Sequence, residues 1–252
     1  MARVIAVANQ KGGVGKTTTA INLCAYLAAK GVSVLLADMD PQANATSGLG
    51  CEEQRRSIYN VLLDEMPPEE AIQRTGQPNL YLLPSSASLA GAEVELVSLP
   101  NREYRLKACL GPLKEHYDYI IIDCPPSLGL LTINALTAAE SVIVPVQCEY
   151  LALEGLSRLI SSIELVRRNL NHSLRLTGLV LTMYDARTNL SQQVADEVKS
   201  HFPETFNSII PRSIRLSEAP SYGLSIRDYE PGSRGAQAYE SLAEEVLARA
   251  KP

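Results

Sequence analysis

Unbroken aliphatic runs recur along this chain, with segments of helical spacing between them. The runs are "VIAVAN" (4–9), "VSVLLAD" (32–38), "LYLLPS" (80–85), "YDYIIID" (117–123), "SVIVPVQ" (141–147), "LTGLVLTMY" (176–184) and "FNSIIP" (206–211). A strand with one wet face alternates apolar and polar residues. These runs do not, so their strands are covered on both faces. Helical patterns lie near 16–30, 57–63, 68–74, 101–116, 128–139, 153–170, 190–202 and 235–250. This alternation predicts an α/β fold, a doubly wound and mostly parallel sheet of about seven or eight strands flanked by helices. No linker, repeat or low-complexity block interrupts it, so residues 1–252 are expected to form a single domain.

Composition narrows the function classes. Apolar residues make up 46% and charged residues 20%, as in an ordinary globular protein. The net charge of −5 argues against a generally basic nucleic-acid coat and leaves room for a local basic face. Cys24, Cys51, Cys109, Cys124 and Cys148 form no CxxC pair and only three His occur, which gives little support to a zinc site or a disulfide framework. They read as small buried residues in a reducing cytosol. The first ten residues do not read as a signal peptide. The longest apolar runs are strand-sized, far short of the roughly 20 residues of a membrane span. The C-terminal helix carries Tyr239, Leu242, Val246 and Leu247 on one face and Glu240, Glu244 and Glu245 on the other. A membrane-surface helix has a Lys/Arg-rich polar face, so this one is expected to pack on the domain.

Ligands of such sheets bind at the carboxyl ends of the strands. The chemically active residues fall there: Lys11 to Thr18 after the first run, Asp38 and Asp40 after the second, then Asp123, Glu149, Asp185 with Arg187, and Arg212. The segment Lys11, Gly12, Gly13, Val14, Gly15, Lys16, Thr17, Thr18 reads as a phosphate loop between strand and helix (a P-loop NTPase). Its glycines let successive N–H groups converge on an anion, and the helix beginning near Lys16 adds its dipole. Lys16 supplies a point charge to the β- and γ-phosphates of a nucleotide, and Thr17 is placed to ligate Mg²⁺. Two departures stand out: Gln10 occupies the place of the usual first glycine, and Lys11 is a second lysine in a loop that needs one. Asp123, at the tip of a buried strand, is the candidate for the Mg²⁺ shell through water. Asp38 and Asp40 share a face on an extended segment. Asp40 is the candidate for orienting the attacking water, although a purely capping and ligating role for both fits the same spacing. The polar, Gly-containing segment after Pro41 reads as mobile.

"KGGVGKTT", "DMDPQANATSGLG", "IIIDCPPSLGLLTINAL", "VPVQCEY", "LTMYDARTNL" and "PRSIRLSEAPS" together resemble the ParA/Soj partitioning ATPases, from about residue 3 to residue 245. These belong to the deviant Walker A group, which includes MinD and the nitrogenase iron protein. The closest fit is to the short Soj-like form, without the separate N-terminal DNA-binding domain of longer plasmid relatives. The resemblance implies an ATP- and Mg²⁺-dependent ATPase that forms an ATP-sandwich homodimer. In it, Lys11 reaches the partner's nucleotide, Gly12 lies where protomers approach, and Lys16 and Thr17 hold phosphate and metal. Thr18 contacts the α-phosphate, Asp40 is the catalytic Asp, Asp123 is the Walker B Asp, and Pro211, Arg212 and Ser213 hold the adenine. It further implies non-specific binding of double-stranded DNA, hydrolysis stimulated by a ParB-type partner, and a cytoplasmic protein that is nucleoid-associated in its ATP state. The replication initiator is a further candidate partner. Arg187 and Arg215 resemble positions used for DNA, and Lys199 and Arg227 extend the candidate patch. The alternative is a MinD-like membrane-cycling division regulator, for which the C-terminal helix is poorly suited. A redox protein like the nitrogenase iron protein needs cysteines that can share a cluster, and a metabolic kinase has no substrate motif in its favour.

Overall fold

The computed structural model describes residues 1–52, 56–149 and 152–249. Its strands are β1 (Arg3–Val7), β2 (Val34–Asp38), β3 (Gln73–Arg74), β4 (Leu80–Leu83), β5 (Tyr119–Asp123), β6 (Ser141–Gln147), β7 (Arg175–Tyr184) and β8 (Ile209–Pro211). They form one sheet in the order β3-β4-β2-β5-β1-β6-β7-β8. Only the β3–β4 pair is antiparallel among the described strands.

The continuous apolar runs follow from two covered faces. Val4, Ala6, Leu35, Ala37, Ile120 and Ile122 enter one core. The residues between them, Ile5, Val7, Val34, Leu36 and Ile121, enter the other. Helix α1 (Lys16–Ala29) and the helix Arg234–Arg249 cover the second face with Leu23, Leu27, Tyr239 and Leu242. The two helices are joined by a buried contact of 3.2 Å between the Thr19 and Tyr239 hydroxyls. The helices Leu130–Ala138, Ala152–Asn169 and Asn189–His201 cover the first face, with Leu131, Leu159 and Val194 among the residues they bury. The C-terminal helix therefore packs on the sheet, as its glutamate-rich outer face implies.

The register decides where chemistry can occur. Val7 pairs with Asp123, and Asp38 pairs with Asp123. The central strands β1, β5 and β2 thus end level, and their outgoing loops open onto one crevice.

Three expectations are revised. The segment 68–74, read as helix, is a 3₁₀ turn at Pro68–Glu70 followed by edge strand β3. The expected helix 101–116 is in three pieces, Arg102–Tyr104, Arg105–Leu110 and Pro112–Glu115. Pro112 lacks an N–H and its ring clashes with the preceding turn, which ends the middle piece. The segment after Pro41 is packed: Asn44–Gly48 is a short helix with Ala45, Thr46 and Gly48 buried. Thr46 hydrogen bonds to Asp38, which draws this segment onto the end of β2.

Leu36 is fully buried in the second core. Leu36→Ala is expected to cost about 3 kcal/mol of stability through lost burial and the cavity left behind. Urea denaturation followed by circular dichroism checks this, and a loss below about 1 kcal/mol contradicts the packing described.

Candidate nucleotide site

The loop between β1 and α1 is built from its first residue. The Asn9 side-chain amide donates to the Pro145 carbonyl at 2.7 Å, and its side-chain oxygen accepts from the Lys11 N–H at 3.0 Å. That turn starts the loop without a glycine at position 10, and the Gln10 amide reaches the Ser162 hydroxyl at 3.5 Å. Gly13 and Gly15 adopt φ of 75° and 87°, a left-handed conformation that other residues reach only under strain. The Thr182 hydroxyl donates to the Val14 carbonyl at 2.9 Å and ties the loop to β7. Among the described residues no side chain caps the N-terminus of α1, so its first-turn N–H groups are available to an anion. Gly12 is different. A Cβ there would meet no atom within 4 Å, so the isolated chain places no steric demand for glycine at this position.

The two lysines occupy different environments. Lys16 is buried and its ammonium donates to the Lys11 carbonyl at 3.2 Å. Burial lowers its pKa, opposed by Asp123, Cys124 and Asp40. The Lys11 side chain turns outward and is half-exposed, with its ammonium 3.9 Å from Glu149. Glu149 also stands 3.8 Å from Arg212.

Three carboxylates meet below the loop. Asp123 is fully buried, and neither of its oxygens has a hydrogen-bond partner among the described residues. Burial pushes its pKa well up, reinforced by Asp38 and Asp40. The neighbouring Thr17 hydroxyl and Lys16 oppose the shift. An orphaned carboxylate beside a threonine hydroxyl and a lysine suits a hydrated Mg²⁺, a hard cation that prefers oxygen ligands and keeps its waters.

Asp38 has a different fate. It accepts from the Thr46 N–H at 2.9 Å, the Thr46 hydroxyl at 2.8 Å and the Asp40 N–H at 3.1 Å. Burial raises its pKa to about 6 against these bonds. Asp38 is thus occupied in holding the backbone, which is the capping role left open by the sequence. Asp40 stays next to the crevice. One of its oxygens accepts from the Gln42 N–H at 3.0 Å, and its carbonyl accepts from the Ser85 hydroxyl at 2.7 Å. The Ser85 N–H in turn donates to the Thr46 hydroxyl at 3.0 Å. Asp38, Thr46 and Ser85 are all fully buried, so this network fixes the backbone that carries Asp40. Thr46 and Ser85 escaped the sequence reading because small hydroxyl residues in "NATSG" and "PSSAS" look like ordinary turn residues.

A cavity of 350 Å³ adjoins the loop and is lined by Gly15, Thr18, Met183, Pro211, Arg212 and Ser213, among others. Met183 has φ of 52°, where the pairing of β7 with β8 shifts register. A methionine held in that conformation marks a locally strained wall. The structure therefore brings the three residues expected at the base together with the phosphate loop.

The candidate DNA residues are less free than their positions implied. Arg187 is clamped by Asp185 through two bonds of 2.9 and 2.7 Å, and that pair holds the Asp185 carboxyl well below the usual range. Arg215 pairs with Glu218 at 2.9 Å and Glu230 at 3.0 Å, and Arg227 pairs with Asp228 at 2.7 Å. Lys199 lies in the last turn of the helix Asn189–His201, about 15 Å along its axis from the start. Arg187, Arg212 and Arg234 do share a groove of 630 Å³. Arg234 was not anticipated, because nothing in "GSRGAQ" distinguishes it from an ordinary helix-start residue.

Residues 2–176 match the family described as AAA domain. Over 251 residues the chain is 56% identical to the sporulation initiation inhibitor protein Soj of Bacillus subtilis, covering 98% of this chain and 99% of that one. It is 52% identical to the chromosome partitioning protein ParA of Myxococcus xanthus, covering 99% of this chain and 89% of that one. The chain belongs to the Soj/ParA family of chromosome-partitioning ATPases. Among solved structures, cobyrinic acid a,c-diamide synthase from Mycobacterium smegmatis with bound ADP and magnesium is 41% identical at a TM-score of 0.85, over 98% of this chain and 94% of that one. The level ends of β1, β5 and β2 thus belong to a Soj/ParA ATPase.

For such an ATPase the Ser85 bond has a measurable consequence. With Asp40 as the expected water-orienting acid, Ser85→Ala should lower kcat for ATP about tenfold while KM changes little, because it loosens Asp40 and leaves the phosphate loop intact. Ser85→Thr should retain most of the rate. Phosphate-release kinetics check this, and a raised KM at unchanged kcat would assign Ser85 to nucleotide binding instead.

Proposed function

We propose that this ATPase is a nucleotide-gated switch that binds DNA without sequence preference as an ATP-sandwich dimer and lets go on hydrolysis. The observation that carries the reading is the division between the two loop lysines. Lys16 already lies in the phosphate cradle, whereas Lys11 points outward beside a loop position, Gly12, with open space around it. A second lysine offered away from its own cradle makes sense if it serves the nucleotide of a facing protomer.

In this reading the N–H groups of the loop and of the first turn of α1 hold the phosphates of ATP, and Lys16 sits against the β- and γ-phosphates. Mg²⁺, when bound, neutralises developing phosphate charge. Thr17 would hold it directly and Asp123 through water. The adenine fits the cavity beside Pro211, Arg212 and Ser213. Asp40, fixed by the Asp38–Thr46–Ser85 network, orients the attacking water. Lys11 crosses to the partner's phosphates, so the dimer interface is complete only with ATP.

DNA binding would use the Arg187, Arg215 and Arg227 face, with Lys199 extending it. Each of the three arginines is paired with a carboxylate in the free chain, so a single protomer offers little uncompensated charge. Two such faces on one rigid dimer gain through effective concentration. Hydrolysis stimulated by a ParB-type centromere-binding partner then releases the dimer from the nucleoid, and the replication initiator remains a candidate regulatory target. The MinD-like alternative gains nothing from the C-terminal helix: Tyr239, Leu242 and Val246 are committed to the core, and Glu244 and Glu245 hold Lys30 and Ser208. No described helix is long and apolar enough to cross a membrane.

Retention on duplex DNA measured with ATP, ADP and no nucleotide, across a salt series, tests the proposal. Retention is expected only with ATP, falling steeply with salt because phosphate contacts release counterions. Arg187→Ala with Arg215→Ala should reduce it at least tenfold while ATP binding persists. Retention indifferent to nucleotide, or ATP-dependent co-sedimentation with vesicles in its place, would overturn it.

A further inference from the structure

The sheet carries a second polar recess at the end opposite the nucleotide loop. It is a cavity of 470 Å³ lined by Arg3, Tyr119, Ser141, Arg175, Val246 and Arg249, among others. Its walls are held by the strand starts. Glu140 N–H donates to the Val4 carbonyl at 2.8 Å, and Arg175 N–H donates to the Glu140 carbonyl at 3.1 Å. Arg3 stands in register with Tyr119, and Ser141 with Arg175. The backbone therefore fixes where Arg3 and Arg175 leave the sheet.

What distinguishes the recess is a pair of guanidiniums with no protein partner among the described residues. Among the described residues neither the Arg3 nor the Arg175 guanidinium makes a hydrogen bond or ion pair, in contrast to Arg187, Arg215 and Arg227. Arg249 spends its donors on the neutral carbonyls of Thr177, Glu204 and Thr205 at 2.7, 2.6 and 3.2 Å, with Glu245 at 3.9 Å. Among the described residues, the one carboxylate that lines the recess, Glu140, is drawn away by Lys114 at 2.9 Å. Tyr119 is 6% exposed, yet its hydroxyl has no hydrogen-bond partner among the described residues. Like charges gathered in a recess repel, and an oxyanion that accepts from both free guanidiniums relieves that repulsion with charge-assisted bonds. Arginine forks match phosphate geometry in particular. The volume falls within the range of small-molecule sites.

We propose that this recess binds a small phosphate-bearing anion, held by Arg3, Arg175 and the Tyr119 hydroxyl. The site is separate from the nucleotide loop and does not rest on the dimer proposal. Both free phosphate and a phosphate ester present the same group, and two probes distinguish them.

Isothermal titration with inorganic phosphate, and separately with glucose 6-phosphate, tests the proposal on three proteins: the unmodified chain, Lys16→Ala, and Arg3→Gln with Arg175→Gln. Binding is expected to persist in Lys16→Ala, which disables the other phosphate cradle, and to weaken at least tenfold in the double variant. Tighter binding of the ester places its sugar on the apolar wall beside Val246, and equal binding shows that the phosphate group alone is read. Both substitutions lie at exposed strand starts, so the double variant should keep its circular dichroism spectrum and ATP turnover. Absence of binding to the unmodified chain, binding unchanged in the double variant, or binding lost only in Lys16→Ala would each overturn the proposal.

Discussion

A fully buried carboxylate with no hydrogen-bond partner among the described residues sets the terms for the rest of this molecule. Asp123 ends the central strand β5, level with the ends of β1 and β2, and nothing among the described residues satisfies its oxygens. An isolated buried charge is expensive, and the surroundings respond by pushing Asp123 and Asp38 up and Lys16 down. All three shifts favour neutral forms. A divalent cation would add positive charge beside Asp123, and a triphosphate would add negative charge beside Lys16, so both shifts would fall. The free site is thus electrostatically incomplete, which gives nucleotide binding a driving force beyond the contacts it forms.

The two aspartates after β2 divide the work that their spacing left ambiguous. Asp38 is consumed by three hydrogen bonds, two of them from Thr46, and so anchors the segment 41–50 to the sheet. Asp40 retains one carboxylate oxygen without a hydrogen bond among the described residues, on a backbone clamped by Ser85. A rigid support of this kind is what the role proposed for Asp40 requires, since reacting groups must be held within a fraction of an ångström.

The fold was legible where physics acts locally. The aliphatic runs announced seven of the eight strands, because a strand buried on both faces has little freedom in composition. Edge strand β3 was missed: two residues, Gln73 and Arg74, carry no periodicity. Pro112 should have counted against a continuous helix over 101–116. The glycines and lysines of the loop stood out in sequence by their spacing, whereas Asp123, a residue type that often ends a strand as a cap, drew notice only beside that loop. Thr46 and Ser85 were not legible, since their importance arises from partners 8 and 45 residues away. The acidic neighbours of Arg187, Arg215 and Arg227 are partly visible in "DAR", "RLSE" and "RD", and side-chain geometry was needed to turn proximity into pairing.

The central claim is that Lys11 acts across an interface that exists only with ATP. Sedimentation velocity with Mg²⁺ and ATP, on Asp40→Ala protein to suppress hydrolysis, measures it most directly when compared with the same protein carrying Lys11→Ala. The account predicts a dimer in the first case and a monomer that still binds ATP in the second. Equal dimerisation of both proteins would contradict it.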